Sequence, residues 1–376
     1  MAKDKNKKVR TEFRKRYGAR TRQSDVTRRF QAADEIDDQA NKERLTGRGA
    51  LVKSRVVRGE SAAADASGQS LVLDAAGPCT PGQVLRVHGL NSVVRLQGGR
   101  DLVCSTRGLL KTVGTDLRHV VVAGDFVMVK EIGPHQGVIQ RVEPRRGCLS
   151  RTSRNRQHLI AANIQQCLIV ASCAEPGIKP NLIDRFLLTA EKSEVQPLIV
   201  LNKIDLVDAA TMQPLAGDFG QLGYPVFYAS ATRGWGIELL RRSLADRRTV
   251  IVGQSGVGKS SLLNAIEPGL ALRVSEVSKE NQKGRHTTTT AQLIPLRSGG
   301  YVLDTPGIRQ FQLWDLVPAE AAQWFRDLRP WADHCRFPNC SHTHEQDCAV
   351  KSAVADGRIS LRRYDSYCQI FAGDLL

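Results

Sequence analysis

Nine consecutive residues, Gly253-Gln254-Ser255-Gly256-Val257-Gly258-Lys259-Ser260-Ser261, have the types and spacing of a phosphate-binding loop. The glycines let backbone N–H groups approach a phosphate chain, and the start of a following helix adds partial positive charge. Lys259 would reach the β- and γ-phosphates, and the Ser260 hydroxyl would ligate Mg²⁺. Asn202-Lys203-Ile204-Asp205 suggests which base accompanies those phosphates. A carboxylate at Asp205 can accept from both the N1–H and the N2 amino group of guanine, a pair of donors that adenine lacks. Asn202 would donate to guanine N7 or bracket the phosphate loop, and Ser230-Ala231 would bring a backbone N–H near guanine O6. A buried acceptor left unpaired by the wrong base makes such a site selective.

Hydrolysis calls for further groups. In Asp304-Thr305-Pro306-Gly307, Asp304 would hold Mg²⁺ through water and the Gly307 N–H would sense the γ-phosphate. Gly284-Arg285-His286-Thr287-Thr288-Thr289-Thr290 reads as a first switch, with Thr288 or Thr289 closing over the metal ion. Many GTPases carry a glutamine after the Asp-X-X-Gly glycine to orient water, but this chain has Ile308. Slow intrinsic turnover and outside help are expected, with His286 the internal candidate for positioning water. Separately, Cys335, Cys340, His342 and Cys348 offer three thiolates and an imidazole within 14 residues, a set that suits a closed structural Zn²⁺ site. His334 and His344 are possible substitutes, and Cys368 reads as a packing residue.

These groups need a scaffold that presents loops from the ends of strands. Cys167–Ser172, Pro197–Leu201, Val226–Ala229 and Thr249–Val252 are short apolar runs of strand type, interleaved with helical patterns at Asn181–Ser193 and Ile237–Leu244. Gln292–Leu296 and Tyr301–Leu303 flank a turn sequence, Arg297-Ser298-Gly299-Gly300, and form a hairpin pattern. The fold class is therefore α/β with a mostly parallel, doubly wound sheet. Within it the guanine motifs precede the phosphate loop, the reverse of the common GTPase order. Cutting the chain after the second switch and joining the old termini produces this order, which is circular permutation.

Around this core the composition changes. Upstream, Gln83–Val87, Ser92–Leu96, Asp101–Cys104, His119–Ala123 continuing through Phe126–Val129, and Val138–Val142 suggest a five-stranded barrel, OB-like in preference to SH3-like. Phe126 is the only aromatic residue between Pro81 and Cys148, so RNA contact there would rest on phosphates and shape. Arg145, Arg146, Arg151, Arg154 and Arg156 read as a basic connector. Downstream lie Trp314, Trp324 and Trp331, the cysteine/histidine segment and a helical tail around Ile359–Cys368. The resulting division is a basic disordered arm and linker at 1–75, the barrel at 76–147, the permuted GTPase at 148–315 and an α-helical zinc-binding domain at 316–376.

The chain has 376 residues and a net charge of +16, and residues 1–30 alone carry 12 Lys+Arg against three Asp+Glu. That balance favours a polyanionic partner, with nucleic acid ahead of membrane. No apolar run reaches the roughly 18 residues of a membrane span, and no secretion signal is evident at the amino terminus. Nine cysteines then read as reduced thiols or metal ligands in a cytoplasmic protein.

Val122-Ala123-Gly124-Asp125-Phe126-Val127, Ala162-Asn163-Ile164-Gln165-Gln166, the guanine motif, the phosphate loop, Gly284–Thr289, Asp304–Gly307 and the four metal ligands together resemble the small ribosomal subunit-dependent GTPase A (RsgA/YjeQ) family. The resemblance runs from about Pro81 to Cys368. It implies a monomeric assembly factor that binds the small ribosomal subunit and its 16S rRNA late in maturation. It further implies that the subunit stimulates hydrolysis of GTP to GDP and phosphate, and that hydrolysis releases the factor. A GTP-dependent RNA-binding scaffold and an RNA-remodelling factor are the competing readings. The first would need a broken Mg²⁺ or phosphate-loop set, whereas Lys259, Ser260 and Asp304 are present. The second would need another catalytic pocket.

Overall fold

A computed structural model describes residues 8–14, 52–61, 71–73, 77–107, 110, 120–153, 156–270, 291–304 and 318–373. In the amino-terminal arm, strands β1 (Lys8–Arg14), β2 (Val52–Ser61) and β3 (Leu71–Leu73) pair antiparallel in that order. The arm thus carries backbone pairing that its polar composition did not announce, while the rest of it lies outside the described residues.

Five strands follow: β4 (Thr80–His88), β5 (Asn91–Leu96), β6 (Asp101–Thr106), β7 (Phe126–Gly133) and β8 (Gln136–Val142). β5 and β6 alternate buried and more exposed residues, and Val84, Val94, Leu102, Val127, Val129 and Ile139 fill the interior. Pairing runs β4-β5-β6-β8-β7, and β7 returns to β4 to close the barrel. The β6–β8 contact is parallel whereas the others are antiparallel. A simple up-and-down meander cannot produce that contact, so the closure is of the OB type.

The chain next forms a hairpin, β9 (Leu149–Ser153) and β10 (Arg156–Ala161), where the sequence suggested only a basic connector. Then come β11 (Gln166–Ser172), α1 (Pro180–Lys192), β12 (Gln196–Asn202), α2 (Gln213–Gly220), β13 (Val226–Ala229), α3 (Ile237–Leu244), β14 (Arg248–Val252), α4 (Lys259–Ile266), β15 (Gln292–Pro295) and β16 (Tyr301–Asp304). The sheet order is β13-β12-β11-β14-β16-β15, parallel except for β15, and β15 meets the barrel where Gln292 pairs with Arg86.

Alternation along each strand explains the two layers. Ile169, Ala171, Ile199, Leu201, Val250 and Val252 face α1, where Phe186 and Leu187 meet them. Leu168, Val170, Leu198, Val200 and Ile251 pack with Leu240 and Leu244 of α3 and Leu262, Leu263 and Ile266 of α4. Every residue of β11 is buried, as expected for a central parallel strand covered on both faces.

The C-terminal part is helical: α5 (Ala321–Trp324), α6 (Arg329–Ala332), α7 (Ala349–Ala355) and α8 (Leu361–Phe371). Phe325, Leu328, Val350, Ala353, Ile359, Tyr367 and Ile370 form its core, and Leu188 of α1 belongs to the same cluster. Because the sheet covers one side of α1 and this module the other, residues Ile183 through Ala190 are all buried.

The two stretches Val122–Val127 and Ala162–Gln166 meet at the junction between barrel and GTPase. Ala123 bridges to Ala161, and the Asn163 side chain donates to Gly124 O at 3.0 Å while accepting from Arg146 N at 3.1 Å. Gly124 has φ +92°, and a Cβ there would lie 2.0 Å from Ala162 O, so only glycine permits this approach. Arg145, read as part of a basic connector, is wholly buried. Its Nε and Nη2 donate to Asp125 at 2.7 and 2.8 Å, and Nη2 also donates to Val120 O at 2.7 Å. The sequence offered Arg145 as one of five similar arginines; its partner 20 residues upstream distinguishes it.

Candidate nucleotide and metal sites

Parallel strands point their carboxyl ends the same way, and this chain places its nucleotide motifs there. Asn202 closes β12 in register with Ala229, so Ser230 leaves the sheet beside it. Gly253 follows β14, and Asp304 ends β16 just beyond the paired Val250 and Leu303. The chain runs from β11 outward through β12 and β13, then restarts with β14 on the other side of β11. Ligands of open α/β sheets bind in the crevice at such a reversal.

Within that crevice the guanine motif grips the phosphate loop. Asn202 is buried, and its Nδ2 donates to Val257 O at 2.9 Å, which realises the bracketing alternative. Gly258, at φ +91°, leaves room for this contact because a Cβ would stand 2.5 Å from Asn202 Nδ2. Lys203 adopts a left-handed conformation at φ +62°, and its Nζ donates to Gly256 O at 2.9 Å and to Glu175 O. Lys203 therefore acts as a clamp between loops, a role that sequence reading missed.

Lys259 Nζ donates to Gly253 O at 2.8 Å and Gln254 O at 2.7 Å, so the loop backbone fixes the ammonium. Burial draws its pKa below the ordinary lysine value. Ser255 and Gly256 form the outer turn of the loop, while Val257 is buried against the α3–α4 layer. Ser260 and Ser261 occupy the first turn of α4, which starts at Lys259.

Ile204 is buried and anchors a short 3₁₀ turn, Ile204–Leu206, that presents Asp205. Hydroxyl donation from Ser230, assisted by Thr232 and the nearby Arg233 charge, holds the Asp205 carboxyl below the usual carboxylate range. Ser230 is buried, and Ala231 is half-buried behind it. Thr232 was not singled out from the sequence, since an exposed threonine in a loop carries no signal until its neighbour across the crevice is known.

The remaining hydrolytic candidates, His286, Thr287–Thr290, Thr305–Gly307 and Ile308, lie outside the described residues, as does Trp314.

In the C-terminal module the ligand atoms of Cys335, Cys340, His342 and Cys348 all lie within 4.8 Å of one another. Cys335 Sγ is 3.8 Å from Cys348 Sγ, and His342 Nδ1 is 3.3 Å from Cys335 Sγ and 3.5 Å from Cys348 Sγ. A tetrahedron with Zn–S bonds of about 2.3 Å has S···S edges of about 3.8 Å, so the set fits that ion. Tyr364 and Tyr367 hydroxyls donate to His342 O at 2.8 Å and Ser341 O at 2.7 Å and hold the ligand loop on α8. His334 and His344 are exposed and stand apart from the set, and Cys368 packs in the module's core.

Ion pairs fasten this module to α1. Arg363 donates to Asp327 at 2.8 and 2.9 Å and to Asp184, while Arg362 donates to Asp184 at 2.9 Å and Asp218 at 3.1 Å. The side chains of Asp184 and Arg363 are 0% and 1% exposed, so this network is part of the interior.

Comparison with known proteins agrees with the architecture. The RsgA GTPase family model matches residues 142–314. A Phocaeicola vulgatus protein named small ribosomal subunit biogenesis GTPase RsgA is 34% identical over 292 residues, covering 76% of this chain and 94% of the relative. One of the same name from Shewanella oneidensis is 38% identical and covers 79% of this chain and 84% of the relative. The crystal structure of YjeQ from Thermotoga maritima superposes with a TM-score of 0.67 at 34% identity, over 79% of this chain and 98% of that one. YloQ, described as a circularly permuted GTPase, superposes at 0.63 with 29% identity, over 79% of this chain and 95% of that one. At 34% and 38% identity over most of the length of these relatives, the chain belongs to the RsgA GTPase family.

Proposed function

We propose that this protein is a GTPase of small ribosomal subunit biogenesis, whose turnover the subunit stimulates and whose release from it follows hydrolysis. The observation that carries the reading is the convergence of Asn202, Ser230, the Gly253–Ser261 loop and Asp304 at the carboxyl edge of one parallel sheet. In this reading Asp205 selects guanine and Lys259 neutralises the β- and γ-phosphates. Ser260 and Asp304 hold Mg²⁺, which would stabilise charge on the transferring phosphoryl group. Thr288 or Thr289 and the Gly307 N–H respond to the γ-phosphate, and His286 orients water in place of the glutamine that Ile308 replaces. One structural Zn²⁺ on Cys335, Cys340, His342 and Cys348 braces the C-terminal module.

The units act as an arm at 1–75, a barrel at 76–147, a GTPase at 148–315 and a zinc module at 316–376. The protein works in the cytoplasm as a monomer on 16S rRNA, and its charge of +16 supports that partner. Among the described residues no helix is long and apolar enough to cross a membrane. GTP turnover measured with and without purified small subunits tests the reading. At least a tenfold rise on adding subunits is expected, corresponding to about 1.4 kcal/mol of barrier. Equal turnover in both samples would overturn it.

A further inference from the structure

The loop after β13 turns two hydroxyls toward the carboxylate of Asp205. Thr232 Oγ1 donates to Asp205 Oδ2 at 3.3 Å, and the Ser230 hydroxyl donates to the same carboxylate. Ser230 Oγ in turn accepts from Arg233 N at 3.0 Å and lies 3.1 Å from Thr232 Oγ1. A hydroxyl has one proton and an ionised carboxylate only accepts, so each hydroxyl gives its proton to Asp205. The backbone fixes the loop, since Ser230 N donates to Trp235 O at 3.0 Å and Gly234 N to Ser230 O at 2.9 Å. Thr232 itself is exposed.

We propose that Thr232 is a positioning residue for base selection: its hydroxyl pins Oδ2 of Asp205 and fixes the orientation in which the carboxylate meets a purine bearing adjacent N–H and amino donors. The proposal rests on the reading of Asp205 as the guanine acceptor. A carboxylate free to rotate can still accept one bond, whereas two parallel donors require both oxygens to be aligned. Losing the pin therefore costs a two-donor base more than a one-donor base. Hypoxanthine, which has the N1–H but lacks the amino group, is the discriminating probe.

Affinities of the full chain for GDP, IDP and ADP should be measured by titration calorimetry for the parent, Thr232→Val, Thr232→Ser and Asp205→Ala. Valine keeps the shape of threonine and removes the donor. Thr232→Val should lose about three- to tenfold in GDP affinity, the worth of one net hydrogen bond, and less for IDP. The GDP/IDP ratio should narrow accordingly, and Thr232→Ser should restore it. Unchanged affinities, or equal losses for GDP and IDP, would overturn the positioning role while leaving Asp205 as the acceptor. If the parent binds ADP as well as GDP, or Asp205→Ala binds GDP normally, the reading of the site itself fails and the proposal fails with it.

Discussion

Lys259 has its position set before any phosphate arrives, because two loop carbonyls already hold its ammonium. Preorganisation of this kind avoids the ordering cost of a long side chain on binding. Lys259→Ala should weaken GTP binding by roughly 10- to 100-fold, the range for a charge-assisted hydrogen bond, as read by nucleotide titration. Gly258→Ala should act differently, through the backbone. Its positive φ and the close Asn202 amide predict a destabilisation of about 1–3 kcal/mol in urea unfolding together with weaker nucleotide binding. At this scale much was legible, since glycine spacing and the Asn-Lys-X-Asp order state their chemistry directly. The Lys203 clamp and the Thr232 contact were not, because both depend on loops 53 and 27 residues away.

Among the elements, α1 joins the GTPase core to the C-terminal module. Its strand-facing residues belong to the GTPase core, and Asp184 on its other side receives Arg362 and Arg363 from α8. Asp184→Asn should cost about 3 kcal/mol of unfolding free energy in urea, at the low end for a broken buried pair because Asp327 still holds Arg363. Strands β4 to β8 and β11 to β16 could be read from their apolar periods within a residue or two at most ends, although residues 120–123, expected as a strand leading into β7, hold only the isolated Ala123–Ala161 bridge, and β7 runs on to Gly133. Hairpin β9–β10 could not, since its arginines, serines and threonines look like a linker until the sheet partner is known. The burial of Arg145 was not legible either, because burial of a charge depends on a partner that composition does not reveal.

For the whole molecule, the cluster of Cys335, Cys340, His342 and Cys348 sits in a module that packs directly on the GTPase, so loss of an ion held there should be felt beyond the loop. Cys348→Ser, or treatment with a strong chelator, should reduce bound zinc from one to zero per chain by elemental analysis and lower the melting temperature of the C-terminal module. Subunit binding should weaken steeply between 50 and 200 mM salt, as expected when Lys and Arg displace counterions from RNA. The order of the motifs conveyed the permuted architecture from sequence alone, while the way barrel, GTPase and zinc module lock together emerged only from the packing.

Asp184 lies in the sequence unit 148–315, yet the arginines that pair with it, Arg362 and Arg363, come from beyond residue 320. Leu188, one turn further along α1, is covered by the same module. A chain terminated at residue 315 would keep every nucleotide motif and still present water with a bare leucine beside an unpaired acid. Biochemists who trim this enzyme to its catalytic unit should therefore expect an aggregating product, and replacing Leu188 by a polar residue is the remedy the geometry recommends.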